Sequence, residues 1–262
     1  MRVLLISDSG RPFLEHVRPH IADFLGGAVK RLAFVTAASL GDEIAYYQRA
    51  QAALGPLPPD GVGVQVLHLR WSAEPLATLE RADALFVGGG NTYALLKRLR
   101  EARLLEPIRA RVQAGMPYIG SSAGSNVAGP RILTTNDWNV VALEAFDALG
   151  LVPFNINPHY RETDPTMAAG SETRDDRISE YHTVWDNPVA GIEEGTLVTT
   201  EPCGDGVLIR PAVVVPVERY TPERKAEFLL STAATERDYR RARKEVKRLG
   251  LDPDAVPHRQ PE

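Results

Sequence analysis

Through the first half of the chain, short runs that are apolar at nearly every position alternate with longer stretches whose apolar residues recur every three or four positions. The runs at 3–6, 31–36, 62–69, 84–87 and 117–120 are rich in Val, Leu, Ile and Phe. Between them, 13–24, 43–54 and 92–103 carry helical periodicity. Strands that are apolar on both faces, each followed by a helix, predict a parallel sheet covered on both sides. From about residue 132 the runs shorten, to 140–143, 152–155, 190–192, 196–199, 206–209 and 212–216. These predict added, partly antiparallel strands at one end of the same sheet. There is no linker rich in Pro, Gly or Ser, no internal repeat and no low-complexity tract. The pattern predicts an α/β fold with a doubly wound, mostly parallel sheet. It occupies one domain over 1–220, followed by a charged helical C-terminal extension over 221–262.

Composition narrows the class. A chain of 262 residues with 44% hydrophobic content builds a full core. No apolar run approaches the roughly 18 residues of a membrane span. The opening strand meets Asp8 too early for a signal peptide. A single cysteine, Cys203, excludes an internal disulfide framework and fits a reducing cytoplasm. A net charge of −4 exerts no global pull on nucleic acid. Six Lys and Arg fall between Arg240 and Arg248, but Glu236, Asp238 and Glu245 dilute the run. It reads as the solvated face of a helix, with Thr221 as N-cap and Pro222 at its first position.

Ligands of open α/β sheets bind at the carboxyl ends of the strands. Two glycine-bearing turns follow strands here. One is Gly120-Ser121-Ser122-Ala123-Gly124, a G-x-S-x-G pattern between an apolar run and a stretch able to open a helix. Flanking glycines let the chain turn sharply, so Ser122 stands at the tip and the Ala123 N–H faces any oxyanion formed there. The other is Val87-Gly88-Gly89-Gly90-Asn91-Thr92. It is either a second source of oxyanion donors or a tight turn whose Asn91 or Thr92 caps the next helix. Neither G-x-G-x-x-G nor a Walker lysine accompanies it, which weakens a phosphate-binding reading.

A serine needs a base, and the base needs a group to orient it. His16 and His20 are spaced for one helical face, yet Pro19 intervenes and no third metal ligand is near. His68 lies in an apolar run, and His182 and His258 lie in polar, irregular surroundings. His159 ends Phe154-Asn155-Ile156-Asn157-Pro158-His159, where a strand runs into a proline-fixed loop facing the expected crevice. Asp137, in Thr134-Thr135-Asn136-Asp137, and Glu194, in Ile192-Glu193-Glu194-Gly195, are both candidates for the orienting acid. The sequence leaves the choice open.

These motifs, with Phe146-Asp147-Ala148-Leu149 and Glu172-Thr173-Arg174, occur in an order that resembles peptidase E, the α-aspartyl dipeptidase family of serine peptidases. The resemblance runs from the first strand to about residue 200. It implies a fold like that of class I glutamine amidotransferases, with serine replacing their cysteine. It also implies cytoplasmic hydrolysis of dipeptides beginning with aspartate, without metal or other cofactor. By this resemblance Ser122 is the nucleophile, His159 the base and Glu194 the triad acid. Asp137 is a further site carboxylate that meets the substrate's amino group. Gly89 or Gly90, with Ala123, supplies the oxyanion hole, and Asn91 and Arg174 bind substrate. Arg174 meets the substrate's β-carboxylate, since a guanidinium fork pairs a carboxylate through two bonds and rejects an amide. The implied partner is a small peptide with N-terminal aspartate, not nucleic acid or membrane, and a homodimer is left open. The chain departs from the family pattern at Trp138-Asn139, where many relatives carry Met-Pro, and at Glu193, where the pattern expects Pro. A cyanophycinase-like peptidase and a binding protein that lost catalysis are the alternatives.

Overall fold

The computed structural model describes residues 1–57, 63–161, 172–203, 206–213, 226, 230 and 236–256. The chain divides into two compact units, Met1–Arg161 with Asp175–Val215, and Glu162–Arg174 with Pro216–Glu262.

In the first unit, strands and helices alternate as β1 (Val3–Ile6), α1 (Arg18–Leu25), β2 (Arg31–Val35), α2 (Glu43–Leu54), β3 (Gln65–Leu69), α3 (Pro75–Arg81) and β4 (Ala84–Val87). They continue as α4 (Thr92–Glu101), α5 (Leu105–Gln113), β5 (Tyr118–Ser121) and the single turn α6 (Ala123–Asn126). Then come β6 (Asn155–Tyr160), α7 (Arg174–His182, of which Arg174 itself falls in the second unit), β7 (Val189–Glu193), β8 (Thr196–Cys203) and β9 (Gly206–Val213). The main sheet has seven strands in the order β3-β2-β4-β5-β1-β8-β9. The first five in that order are parallel, and β8 and β9 extend the edge antiparallel.

Alternation along the central strands builds two cores. Val3, Leu5, Val35, Leu85, Val87 and Tyr118 meet α4 and α5 through Leu95, Leu99, Ile108 and Val112. Leu4, Ile6, Phe34, Phe86 and Ile119 meet α1 and α2 through Ile21, Leu25, Tyr46, Ala50 and Leu54. The near-continuous apolar strands are thus explained: both faces are buried. Truncating one of these large side chains to Ala costs about 2–5 kcal/mol. Helix starts follow local chemistry as well. Asp42 accepts from the Ile44 and Ala45 N–H groups to cap α2, and Asn91 accepts from Ala94 N–H to cap α4.

The region after residue 132 departs from expectation at several points. Residues 140–143 are not a strand: Asn139 donates to the Leu143 carbonyl and accepts from its N–H, both at 2.8 Å, and closes a loop. The run at 152–155 only leads into β6, which starts at Asn155. Finally, β6 and β7 do not extend the main sheet but form a two-stranded parallel sheet of their own. The runs at 206–209 and 212–216 merge, as far as residue 213, into the single strand β9.

In the second unit, α8 (Glu236–Arg248) buries Tyr239, Ala242 and Val246, at i, i+3 and i+7, against Ala226, Leu230 and Val256. Arg243 grips Asp254 through two hydrogen bonds of 2.6 and 2.7 Å. Lys244, Lys247 and Arg248 are exposed. The expected cap, Thr221-Pro222, and His258 lie outside the described residues. Among the described residues no helix is long and apolar enough to cross a membrane.

Candidate active site

Ser122 occupies the step from β5 to α6 with φ 52° and ψ −111°, a conformation that disfavours any residue but glycine. Its surroundings impose that backbone. The Ser122 N–H donates to the Ile6 carbonyl at 2.9 Å, tying the turn to β1. A Cβ on Gly124 would lie 2.0 Å from the Val87 carbonyl oxygen, and one on Gly120 would lie 2.4 Å from the Gly124 carbonyl oxygen. The two glycines of the G-x-S-x-G pattern are therefore where three strands and a helix turn crowd together, and the serine between them absorbs the bend.

His159 owes its position to an irregularity. Along β6 and β7, Pro158 pairs with Ile192 and Tyr160 with Glu193, so His159 is the extra residue of a β-bulge, with φ 57°. A bulge re-aims a side chain out of the ladder. The ring's Nε2 lies 2.9 Å from Ser122 Oγ, and its Nδ1 lies 3.3 Å from Glu194 Oε1. The His159 N–H donates to Ser7 Oγ at 2.9 Å, and that hydroxyl donates to the Ile192 carbonyl at 2.8 Å. The free edge of β6 is bound by side chains: Asn126 and Thr134 donate to the Ile156 carbonyl, and Asn136 donates to that of Pro158.

Glu194 sits in the β7–β8 turn, whose Gly195 N–H donates to Asp8 Oδ1 at 2.8 Å. Its second oxygen accepts from Arg161 Nη2 at 2.6 Å. Hydrogen bonding to His159, and then to Arg161, outweighs desolvation and holds this carboxyl well below the usual range, at about 2. The group stays an anion, which favours a proton on His159 Nδ1 and leaves Nε2 to accept from the serine.

The other sequence candidates fall around this chain. Asp137 makes no hydrogen bond to His159 among the described residues. It accepts instead from the Thr92 N–H at 2.7 Å and the Thr92 hydroxyl at 2.6 Å, at the start of α4. The stretch 134–137 thus alternates: Thr134 and Asn136 hold β6, while Thr135 and Asp137 hold α4. Asn91 caps α4 and donates to the Trp138 carbonyl at 3.0 Å; the Trp138 indole is 83% exposed. A Cβ on Gly89 would lie 3.6 Å from Ser122 Oγ, so the triple-glycine turn abuts the serine. The Gly89 N–H is already engaged, donating to Tyr46 Oη at 2.8 Å. Arg174 opens α7 and belongs to the second unit. Among the described residues no group of three His, Cys, Asp or Glu side chains is placed to hold a metal ion.

Sequence reasoning missed Ser7, Asp8, Tyr46 and Arg161. The first two had a faint signal, since a polar Ser-Asp-Ser-Gly run directly follows a fully buried strand.

Residues 3–206 match the family described as Peptidase family S51. The chain belongs to this family. A protein of Streptomyces coelicolor named Peptidase E is 42% identical over 204 residues, covering 77% of this chain and 81% of its own. A Drosophila melanogaster protein named "Probable alpha-aspartyl dipeptidase" is 45% identical over 204 residues, covering 76% of this chain and 82% of its own. Among solved structures, a protein of Listeria monocytogenes EGD-e assigned to peptidase E superposes with a TM-score of 0.59 at 26% identity, over 80% of this chain and 98% of that one. The family S51 match ends within β9, ahead of α8.

Proposed function

We propose that this S51 member hydrolyses dipeptides whose first residue is aspartate, in the cytoplasm, through an aspartyl-enzyme on Ser122. The observation that carries the reading is the continuous chain from Ser122 Oγ through the His159 ring to Glu194, with both links within hydrogen-bonding reach. Ser122 Oγ attacks the carbonyl carbon that follows the aspartate while His159 Nε2 takes its proton. The tetrahedral oxyanion meets backbone N–H groups at Ala123 and in the glycine turn. His159 then gives the proton to the leaving amine, the C–N bond breaks, and the second amino acid departs. Water, deprotonated by the same ring, attacks the ester and returns Ser122 with free aspartate. The Glu194 anion holds the ring and stabilises the imidazolium formed in each half.

Selectivity is assigned to Arg174 for the β-carboxylate and to Asp137 for the amino group, with Asn91 beside it. The Drosophila relative's name, which specifies an alpha-aspartyl dipeptidase, supports selectivity for aspartate. Physical chemistry supports the assignment of Arg174 too: a guanidinium fork pairs a carboxylate through two charge-assisted bonds that an amide cannot match. The test is an assay of Asp-Leu, Asn-Leu, Glu-Leu and a β-linked Asp-Leu, with Ser122→Ala beside the wild type. Cleavage of Asp-Leu alone, lost in the variant, is expected. Preference for the β-linked substrate would move the protein to a cyanophycinase-like specificity, and equal rates on Asp-Leu and Asn-Leu would remove Arg174 from its role.

A further inference from the structure

The triple-glycine turn presents three consecutive backbone N–H groups, and the structure disposes of them differently. The first, on Gly89, donates to Tyr46 Oη at 2.8 Å. The third, on Asn91, donates to the Ala38 carbonyl at 2.9 Å. The middle one, on Gly90, has no hydrogen bond within the described chain, and neither has that of Ala123. Gly90 has φ +138° and is packed so closely that a Cβ would lie 2.4 Å from the Ala38 carbonyl oxygen. Two neighbouring amides are thus tied to the α2 side of the turn, while Gly89 rests against Ser122. Tyr46 is itself immobilised. Its ring meets Phe13 and Phe34 edge-on, at 5.8 and 5.2 Å, and the residue is 7% exposed. Gly88 lies against the phenol so tightly that a Cβ there would be 2.5 Å from Oη. Burial pushes the phenol up to about 12, so it stays neutral.

We propose that Tyr46 is a positioning residue for the reaction: its phenol oxygen captures the Gly89 N–H and so fixes the turn with the Gly90 N–H as the second oxyanion donor beside that of Ala123. This rests on the reading of Ser122 as the nucleophile. It selects Gly90 over Gly89 as the donor and gives a buried aromatic of α2 a part in catalysis without contact to substrate. An oxyanion donor acts only where it is already aimed when charge develops, so freeing one neighbour of the turn weakens transition-state binding more than substrate binding.

The test is Tyr46→Phe, which keeps the ring and removes only the acceptor. Two readouts are used: steady-state kinetics on Asp-Leu and the rate at which a fluorophosphonate labels Ser122. Both reactions place a developing oxyanion in the same hole, but the second requires no aspartate. Losing one donor outright lowers kcat by about 100- to 1,000-fold, so loosening one is expected to lower it by about 10-fold, with KM within about two-fold. The labelling rate falls in parallel, and the thermal midpoint moves by only a few degrees. Tyr46→Leu, which also removes the ring, separates packing from positioning by lowering the midpoint much further. Unchanged kcat and labelling in a folded Tyr46→Phe would overturn the proposal, as would a loss confined to KM. If the wild type labels but does not cleave Asp-Leu, the substrate reading fails and the labelling rates still decide the role of Tyr46. A wild type that does not label at all would overturn both.

Discussion

Ser122 directly follows a strand with neighbours on both sides, whereas His159 lies on, and Glu194 directly follows, a two-stranded sheet outside the main one. Ser122 and His159 are both held at positive φ, 52° and 57°. What enforces the conformation differs. At Ser122 it is hard contact, since the turn has no room for a Cβ at either flanking glycine. At His159 it is hydrogen bonding, through the bulge, the Ser7 hydroxyl and the side chains along β6. Ser122 is therefore positioned by sterics and His159 by a polar network. Polar networks lose more from a single deletion, because each buried partner left behind keeps its desolvation cost.

Substitution at Ser122 tests the steric side and carries the largest expected effect. Ser122→Ala is expected to lower kcat by at least about 10,000-fold while the thermal midpoint stays within a few degrees. Ser122→Gly should be equally inactive yet more stable than the alanine variant by about 1 kcal/mol, because glycine relieves the left-handed backbone. Urea unfolding of the two variants checks this, and equal stabilities would mean that the turn is unstrained.

The next effects separate the two carboxylates that the sequence left open. Glu194→Gln should lower kcat by about 100- to 10,000-fold with little change in KM, as when a triad acid loses its charge. Asp137→Asn should act mainly on KM, and should destabilise by about 1 kcal/mol through the weakened hold on Thr92. Steady-state kinetics of both variants decide: the reverse pattern would give the triad role to Asp137.

Ser7→Ala probes the polar side at a residue that touches no substrate. It leaves the His159 N–H and the Ile192 carbonyl unpaired in a buried place, at a cost of about 1–3 kcal/mol. We expect kcat to fall by about 10-fold with KM unchanged, and the thermal midpoint to drop with it. A stable, fully active variant would show that the bulge holds His159 without help from β1.

The same contrast explains what the sequence revealed. The five parallel strands were legible because burial on both faces writes an apolar run into each of them. Ser122 was legible because sterics demand glycine at 120 and 124, and glycine is visible in a sequence. The β6–β7 region was obscured by its chemistry. Its strand Asn155–Tyr160 reads Asn-Ile-Asn-Pro-His-Tyr, with polar residues and a proline where apolar ones were sought. The loop at 140–143 looked like a strand because its valines are apolar, although Val140 is 63% exposed and Asn139 closes the turn. Which acid meets His159 depends on the register of β6 against β7 and on a bulge, and neither is written locally. Tyr46 was hidden for a related reason: its phenol accepts from a backbone amide 43 residues away.

The smallest effect is a dependence on pH, and it sharpens the contrast because hard contacts do not titrate. Glu194 has a folded value of about 2 against 4.5 when free. A carboxyl depressed in the native state stabilises it fully above its free value, and that contribution disappears as pH falls through the folded value. The stability difference between wild type and Glu194→Gln, measured by urea unfolding, should be constant above about pH 4.5 and shrink as pH approaches about 2. Since Arg161 shares in holding the anion, Arg161→Met should make the shrinkage smaller and complete at a higher pH. Ser122→Gly, acting on the steric side, should keep its advantage over Ser122→Ala across the same range. A difference between wild type and Glu194→Gln that ignores pH would mean that the folded protein favours the Glu194 anion no more than the unfolded chain does. The second link of the chain from Ser122 would then be a matter of shape alone.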